Sequence, residues 1–257
     1  MTIQRRARVL VFNPNTSKSV TESFKPVLSR LDLSDTELTY WTCSTGPSLI
    51  KTKADMFESA SHCIPLLLAI AADYDGFLGA CYADHPVVRL LQSYVGAKPV
   101  VGIFDASILA AVHLTNVTSK FGIITTGVPF ETLLADGVKQ LLGGTSHGMD
   151  GRFQQFAGVA ASGIGAEDLK LELQEQAKDK VMAATKRLIQ CGDVSVLCVG
   201  GVILAGMEGW IREACEEELG SKRGGEVKVI EQLSVGALVL DALLHGRADC
   251  DFTLALK

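Results

Sequence analysis

The sequence predicts an α/β protein of two similar lobes, each with a mainly parallel sheet flanked by helices. Three observations predict it. Short apolar runs of strand length alternate with helical patterns along most of the chain. Several of those runs stop abruptly at polar or small-residue turns, and helices follow. The pattern then restarts near Ser107, so the two halves echo each other.

Taken in order, Arg8–Phe12 reads as a buried first strand, and Asn13-Pro14-Asn15-Thr16-Ser17 as a polar turn with Thr16 or Ser17 as helix cap. Val20, Phe24, Val27, Leu28 and Leu31 follow at helical spacing. Glu37–Trp41 alternates as a second strand, Gly46-Pro47-Ser48 is a loop, and Asp55–Ala72 is a helix with a bend at Pro65. Tyr74–Ala80 is a third strand. Pro86, at a first helical position where its missing N–H costs nothing, opens the next helix through Tyr94. Pro99–Phe104 is a fourth strand ending at Asp105.

In the second half, Ser107–Leu114 is helical, Phe121–Ile124 is a strand ending in Thr125-Thr126-Gly127, and Phe130–Leu142 is a helix closed by Gly143-Gly144. Val159 marks a strand, and Glu167–Ile189 a long helix. Val194–Val199 is a strand followed by Gly200-Gly201. Met207, Trp210, Ile211, Ala214 and Cys215 form a helical stripe, Val227–Ile230 is a strand, and Ser234 caps an almost wholly apolar helix through Leu244.

The 257 residues leave room for one large domain or two small ones. A net charge of -5, with no basic run interleaved with aromatics, argues against nucleic acid as a partner. The longest apolar run, Ile64–Ala72, is too short to span a bilayer, and the N-terminus lacks the apolar stretch of a secretory signal. Seven cysteines without a CxxC spacing point away from a disulfide framework or a zinc site and toward a reducing, cytoplasmic setting.

One stretch carries the chemistry: Gly79-Ala80-Cys81-Tyr82-Ala83-Asp84-His85-Pro86. An apolar strand delivers a thiol to the mouth of a turn. Thiols are usually buried and inert, but α/β sheets bind ligands at the carboxyl ends of their strands. His85 touches this turn, either polarising Cys81 or binding substrate, or else flanking the helix cap. Tyr82 either packs or lines the pocket.

The segments VLVFNPNTS (Val9–Ser17), GACYADHP (Gly79–Pro86), VVGIFDAS (Val100–Ser107), FGIITT (Phe121–Thr126), VLCVGGVILAGME (Val196–Glu208) and VIEQLS around Ile230 occur in one order across most of the chain. In combination they resemble the aspartate/glutamate/hydantoin racemase superfamily, nearest its hydantoin and allantoin branch. That resemblance implies a cofactor-independent enzyme of two pseudosymmetric Rossmann-like lobes, with substrate between them and a cysteine on either side of one carbon. One thiolate removes the proton beside a carbonyl, and the opposite thiol returns one. It also implies that the last helix returns to the first lobe: residues 1–106 plus about 220–257 in one lobe, about 107–219 in the other.

Cys81 matches the first family cysteine. The second falls on Gly201, or, in an alternative register, on Leu204; neither titrates. Cys198 lies an odd offset from Gly201 along a strand and so faces the other way. Glu208 and Asp84 are acids near the site, with helix-start and cap roles as the plainer assignment. Asn13, Asn15, Thr16, Ser17, Ser48, Tyr82, His85, Thr125, Thr126 and Val202 are the expected substrate contacts. Three functions follow: a single-thiol isomerase or epimerase; a one-thiol lyase, decarboxylase or cyclising enzyme, as arylmalonate decarboxylases work with one cysteine; or a non-catalytic binding relative. The partner is a small molecule, without metal or cofactor, and such families commonly form homo-oligomers. Cys43, Cys63, Cys191, Cys215 and Cys250 are bystanders, and His62 and His113 structural.

Overall fold

The computed structural model describes residues 5–143, 154–165 and 173–246. They fall into two units with interrupted chain paths. The first runs up to Cys81, then His85–Ile103, then resumes at Leu233; the second takes Tyr82–Asp84 and Phe104–Gln232.

The first unit holds β1 (Ala7–Asn13), β2 (Thr36–Thr42), β3 (Gly76–Gly79) and β4 (Val100–Gly102), all parallel in the order β2-β1-β3-β4. The helices are α1 (Lys18–Leu28), α2 (Lys53–Ile70), α3 (Pro86–Tyr94) and the returning α9 (Gln232–His245). α2 starts with a capping box in which Asp55 N–H donates to Thr52 Oγ1 at 3.1 Å and Thr52 N–H donates to Asp55 Oδ2 at 2.8 Å. It runs through Pro65 without a break. Leu10, Phe12, Leu67, Phe77, Val87 and Leu91 pack as one buried cluster, the contiguous apolar core that dominates the stability of such a unit. The Thr36 hydroxyl donates to Asp241 Oδ1 at 2.5 Å and ties α9 to β2.

The second unit repeats this plan. Its strands β5 (Lys120–Thr125), β6 (Phe156–Ala161), β7 (Val194–Gly200) and β8 (Lys228–Glu231) are parallel in the order β6-β5-β7-β8. Its helices are α4 (Ile103–Leu114), α5 (Pro129–Leu141), α6 (Gln174–Ile189), α7 (Glu208–Leu219) and α8 (Ser221–Glu226). Ile124, Val181, Ile189, Leu197, Val199, Leu204 and Ile211 form its buried core.

In each sheet the strands finish together. Phe12 pairs with Gly79 and Gly79 with Gly102; Thr125 pairs with Gly200 and Val199 with Glu231. The turns that follow therefore gather along one edge of each sheet, where parallel sheets place ligands.

Four details differ from the sequence expectation. The fourth strand stops at Gly102, and Ile103, Phe104 and Asp105 already belong to α4; a short apolar run fits a strand and a buried helical turn equally. Ser234 lies inside α9, which begins at Gln232 directly after β8. The return to the first unit comes at Leu233 rather than near 220, because β8 pairs with β7 and so belongs to the second sheet. α8 was not expected, because Gly224 and Gly225 are poor helix formers. The expected cap at Gly144, the start of the helix expected from Glu167, the cysteine at 250 and the tail from Arg247 lie outside the described residues. Among the described residues no helix is long and apolar enough to cross a membrane.

Candidate functional site

The first sheet edge carries two loops. Asn13, the last residue of β1, is buried, and its amide serves the loop itself. Asn13 Nδ2 shares its two hydrogens among Asn15 Oδ1 at 2.9 Å, Ser17 O at 3.0 Å and Thr21 Oγ1 at 3.1 Å, while its Oδ1 accepts from Asn15 N–H at 3.2 Å. Asn13 thus braces the loop. Asn15 Oδ1 also accepts Ser17 N–H at 2.8 Å, an Asx turn that leads into α1. Ser17 is the helix cap by position, although its side chain makes no capping bond and instead meets Ser19 Oγ at 3.0 Å. Thr16 N–H donates to Pro47 O at 3.1 Å, which brings exposed Ser48 into the same loop cluster. Asn15, Thr16 and Ser17 stay half-buried at the edge.

Beside them β3 ends and presents Cys81, held by the Ala80 N–H bond to Phe12 O at 2.9 Å. Cys81 is half-buried, and burial pushes its thiol up to about 12. At neutral pH the empty protein therefore holds it mainly as the thiol. Buried Cys63 also belongs to this edge: its thiol donates to Pro14 O at 3.3 Å, and burial first, then Cys43 and Cys81, push it up. The supposed bystanders Cys43 and Cys63 thus lie under the loop, as inert packed thiols.

His85, not Asp84, caps α3. Its Nδ1 accepts Val87 N–H at 3.2 Å, so the ring proton sits on Nε2. The residue is 2% exposed, and Nε2 has no hydrogen-bond partner among the described residues. Burial lowers its pKa to about 4. It is a neutral imidazole with a fixed N–H. Burial is the cause that raises Cys81.

The second sheet edge centres on Gly200 and Gly201. Buried Thr125 donates its hydroxyl to Gly200 O at 2.7 Å; its one proton is spent there, so Thr125 is a strut and not a donor to substrate. The same edge holds Ser162, whose hydroxyl donates to Thr125 O at 2.9 Å. Gly201 adopts φ 152° and ψ 137°, a region other residues rarely enter, and a β-carbon there would meet Thr126 Cγ2 at 3.3 Å. A short 3₁₀ turn from half-buried Val202 to Leu204 follows, with Leu204 fully buried in the core. Glu208 Oε1 accepts Gly206 N–H at 3.1 Å, a helix-start role.

Cys198 is fully buried, 3.8 Å from Ser107 O, with burial pushing its thiol up to about 12. Tyr82 is half-buried and packed on one side. Its hydroxyl accepts from Ser107 Oγ at 3.1 Å, its ring meets Phe104 edge-on at 5.4 Å, and burial raises its pKa. The sequence reading missed Gln232, which follows β8 at this edge. It is fully buried, and neither Oε1 nor Nε2 has a hydrogen-bond partner among the described residues. In the sequence it is the Gln of the VIEQLS segment, a polar amide between a strand and an apolar helix.

Comparisons with known proteins agree with this geometry. An uncharacterized Schizosaccharomyces pombe protein is 31% identical over 93% of this chain and 92% of its own length. The hydantoin racemase of Paenarthrobacter aurescens is 24% identical over 92% of this chain and 91% of its own. The crystal structure of allantoin racemase from Pseudomonas fluorescens superposes with a TM-score of 0.75 at 23% identity, covering 93% of this chain and 92% of that one. The Asp/Glu/Hydantoin racemase family model matches residues 9–239. With two four-stranded parallel sheets in the same strand order and a thiol at the end of β3, the chain belongs to the Asp/Glu/Hydantoin racemase family.

Proposed function

We propose that the protein is a cofactor-independent isomerase that moves a proton at the carbon beside a carbonyl in a small cyclic amide or amino-acid derivative, with Cys81 as its single thiol acid–base. The observation that carries this reading is the contrast between the two sheet edges. Cys81 follows β3 by two residues, whereas Gly201, after β7, has a backbone that a cysteine would occupy only under strain. Relatives named for hydantoin and allantoin racemisation support the substrate class.

In this reading the Cys81 thiolate takes the α-proton. The electron pair left on carbon delocalises onto the carbonyl oxygen as an enolate, and the same thiol or water returns the proton. The enolate needs fixed donors. The neutral Nε2–H of His85 and the side-chain donors of half-buried Asn15 and Thr16 are the groups available in the first unit.

The raised pKa of Cys81 favours a second reading. A thiol that stays protonated suits a lyase in which C–C cleavage forms the carbanion and Cys81 supplies a proton to one face. Incubation of L-5-benzylhydantoin in D₂O separates the possibilities. The isomerase removes the C5–H signal, and Cys81→Ser does not. Saturable binding without exchange contradicts catalysis on this class, and full exchange by Cys81→Ser contradicts the site.

A further inference from the structure

Ser59 lies inside α2 and is fully buried, and its hydroxyl leaves its own helix. It donates to Pro14 O at 2.7 Å. A serine within a helix commonly bonds back to the carbonyl one turn earlier or faces solvent. This one reaches 45 residues back in sequence, to the loop after β1. Cys63, one turn further along α2, adds its weaker S–H donor to the same oxygen at 3.3 Å.

Proline has no N–H, so its carbonyl is the only backbone group by which Pro14 can be held. The Pro14–Asn15 peptide is planar and trans. Its oxygen is gripped by α2, and on the opposite side its N–H donates to Asn13 Oδ1 at 3.2 Å. Both sides of one rigid plane are therefore pinned, and that plane sets the direction in which Asn15 leaves the backbone. The side-chain oxygen of Asn15 is occupied by Asn13 Nδ2 at 2.9 Å and Ser17 N–H at 2.8 Å. Those bonds fix which way the amide faces and leave its Nδ2, with two hydrogens, without an acceptor among the described residues.

From the Ser59–Pro14 bond and the doubly pinned peptide beyond it, we infer that Ser59 is a positioning residue, which holds the Asn15 amide where it donates to the substrate oxygen that gains charge. This rests on the function proposed above and adds what keeps its donor still. Ser59, Pro14, Asn15 and Cys81 all belong to the first unit. A donor aimed at developing charge acts on the transition state, so misaiming it lowers kcat and spares KM.

Ser59→Ala, Asn15→Ala and the double variant test this by C5–H exchange of L-5-benzylhydantoin in D₂O. Alanine is a good helix former, so α2 persists in Ser59→Ala. Rates are compared at a temperature where unfolding curves show every variant fully folded. Ser59→Ala lowers kcat about tenfold and Asn15→Ala about a hundredfold, with KM changed by less than about threefold. In the Asn15→Ala background, Ser59→Ala changes kcat by less than about twofold, because the group it positions is gone. Hydrogen-exchange mass spectrometry reads the grip without substrate: the Asn15–Ser17 amides exchange faster in Ser59→Ala than in wild type.

Equal losses of kcat in the two backgrounds show Ser59 acting elsewhere and overturn the inference. An unchanged kcat, or unchanged amide exchange in the loop, overturns it as well. A wild type that exchanges no hydantoin removes the proposed function and this role together. An active wild type with any of the three contrary results removes the role of Ser59 alone.

Discussion

The Tyr82 ring lies over Gly200: a β-carbon on Gly200 would stand 3.0 Å from Tyr82 Cε1, 2.9 Å from Ile124 O and 2.5 Å from Ile123 Cγ2. The end of β7 is thus shaped by contact, with backbone on one side and a ring fixed by Ser107 on the other. Gly200→Ala should destabilise the protein by about 1–3 kcal/mol through overpacking, because the backbone oxygen cannot yield. Chemical denaturation checks this, and wild-type stability in the variant would show that the ring swings away freely.

Gly201→Cys is the obvious attempt to restore a second thiol. At φ 152° the side chain costs about 1–3 kcal/mol, so the variant should be less stable and should not gain two-thiol racemisation. Chiral chromatography of hydantoins and a melting curve measure the two effects. A stable variant that racemises rapidly would show that the turn relaxes to accept cysteine.

Asn13→Ala should remove the bonds to Asn15, Ser17 and Thr21 together and lower stability by about 1–3 kcal/mol, since buried partners are left unmatched. Proteolysis at the Asn13–Ser17 loop should speed up. An unchanged digestion pattern would return Asn13 to the role of substrate contact.

His85 gives the protein a defined acid sensitivity. Its folded pKa, about 4, lies below the ordinary 6.5, so the unfolded chain takes up a proton first as pH falls. The stability it contributes is complete above about pH 7 and is lost between about 6.5 and 4, by about 3 kcal/mol. His85→Asn keeps a capping oxygen and does not titrate. The difference in unfolding free energy between wild type and variant should therefore shift in the variant's favour across that window, and a constant difference would contradict the buried neutral imidazole.

Much of the architecture could be read from the chain because its periodicity is clean. β1, β3, β5 and β7 are apolar runs that break at Asn13, Cys81, Thr126 and Gly201, and buried parallel strands are written that way. Ile103 and Phe104 were misread because a buried helical turn and a strand end look alike in apolar sequence. The site was legible as positions and less so as roles. Asn13 and Thr125 sit where expected, yet their polar groups are consumed by neighbours that only folding brings together. Tyr82 turned inward for the same reason: its hydroxyl found Ser107, 25 residues away in sequence. Gln232 was overlooked because an unmatched buried amide is a property of its surroundings, invisible in residue order.

The single thiol is tested most directly by following L-5-benzylhydantoin in D₂O near neutral pH with both NMR and chiral separation. Single-sulfur proton transfer predicts that C5 deuterium appears with retained configuration faster than the D-enantiomer forms, and that Cys81→Ser abolishes both. Inversion that keeps pace with deuterium uptake would require a second acid–base group opposite Cys81 and would contradict the account.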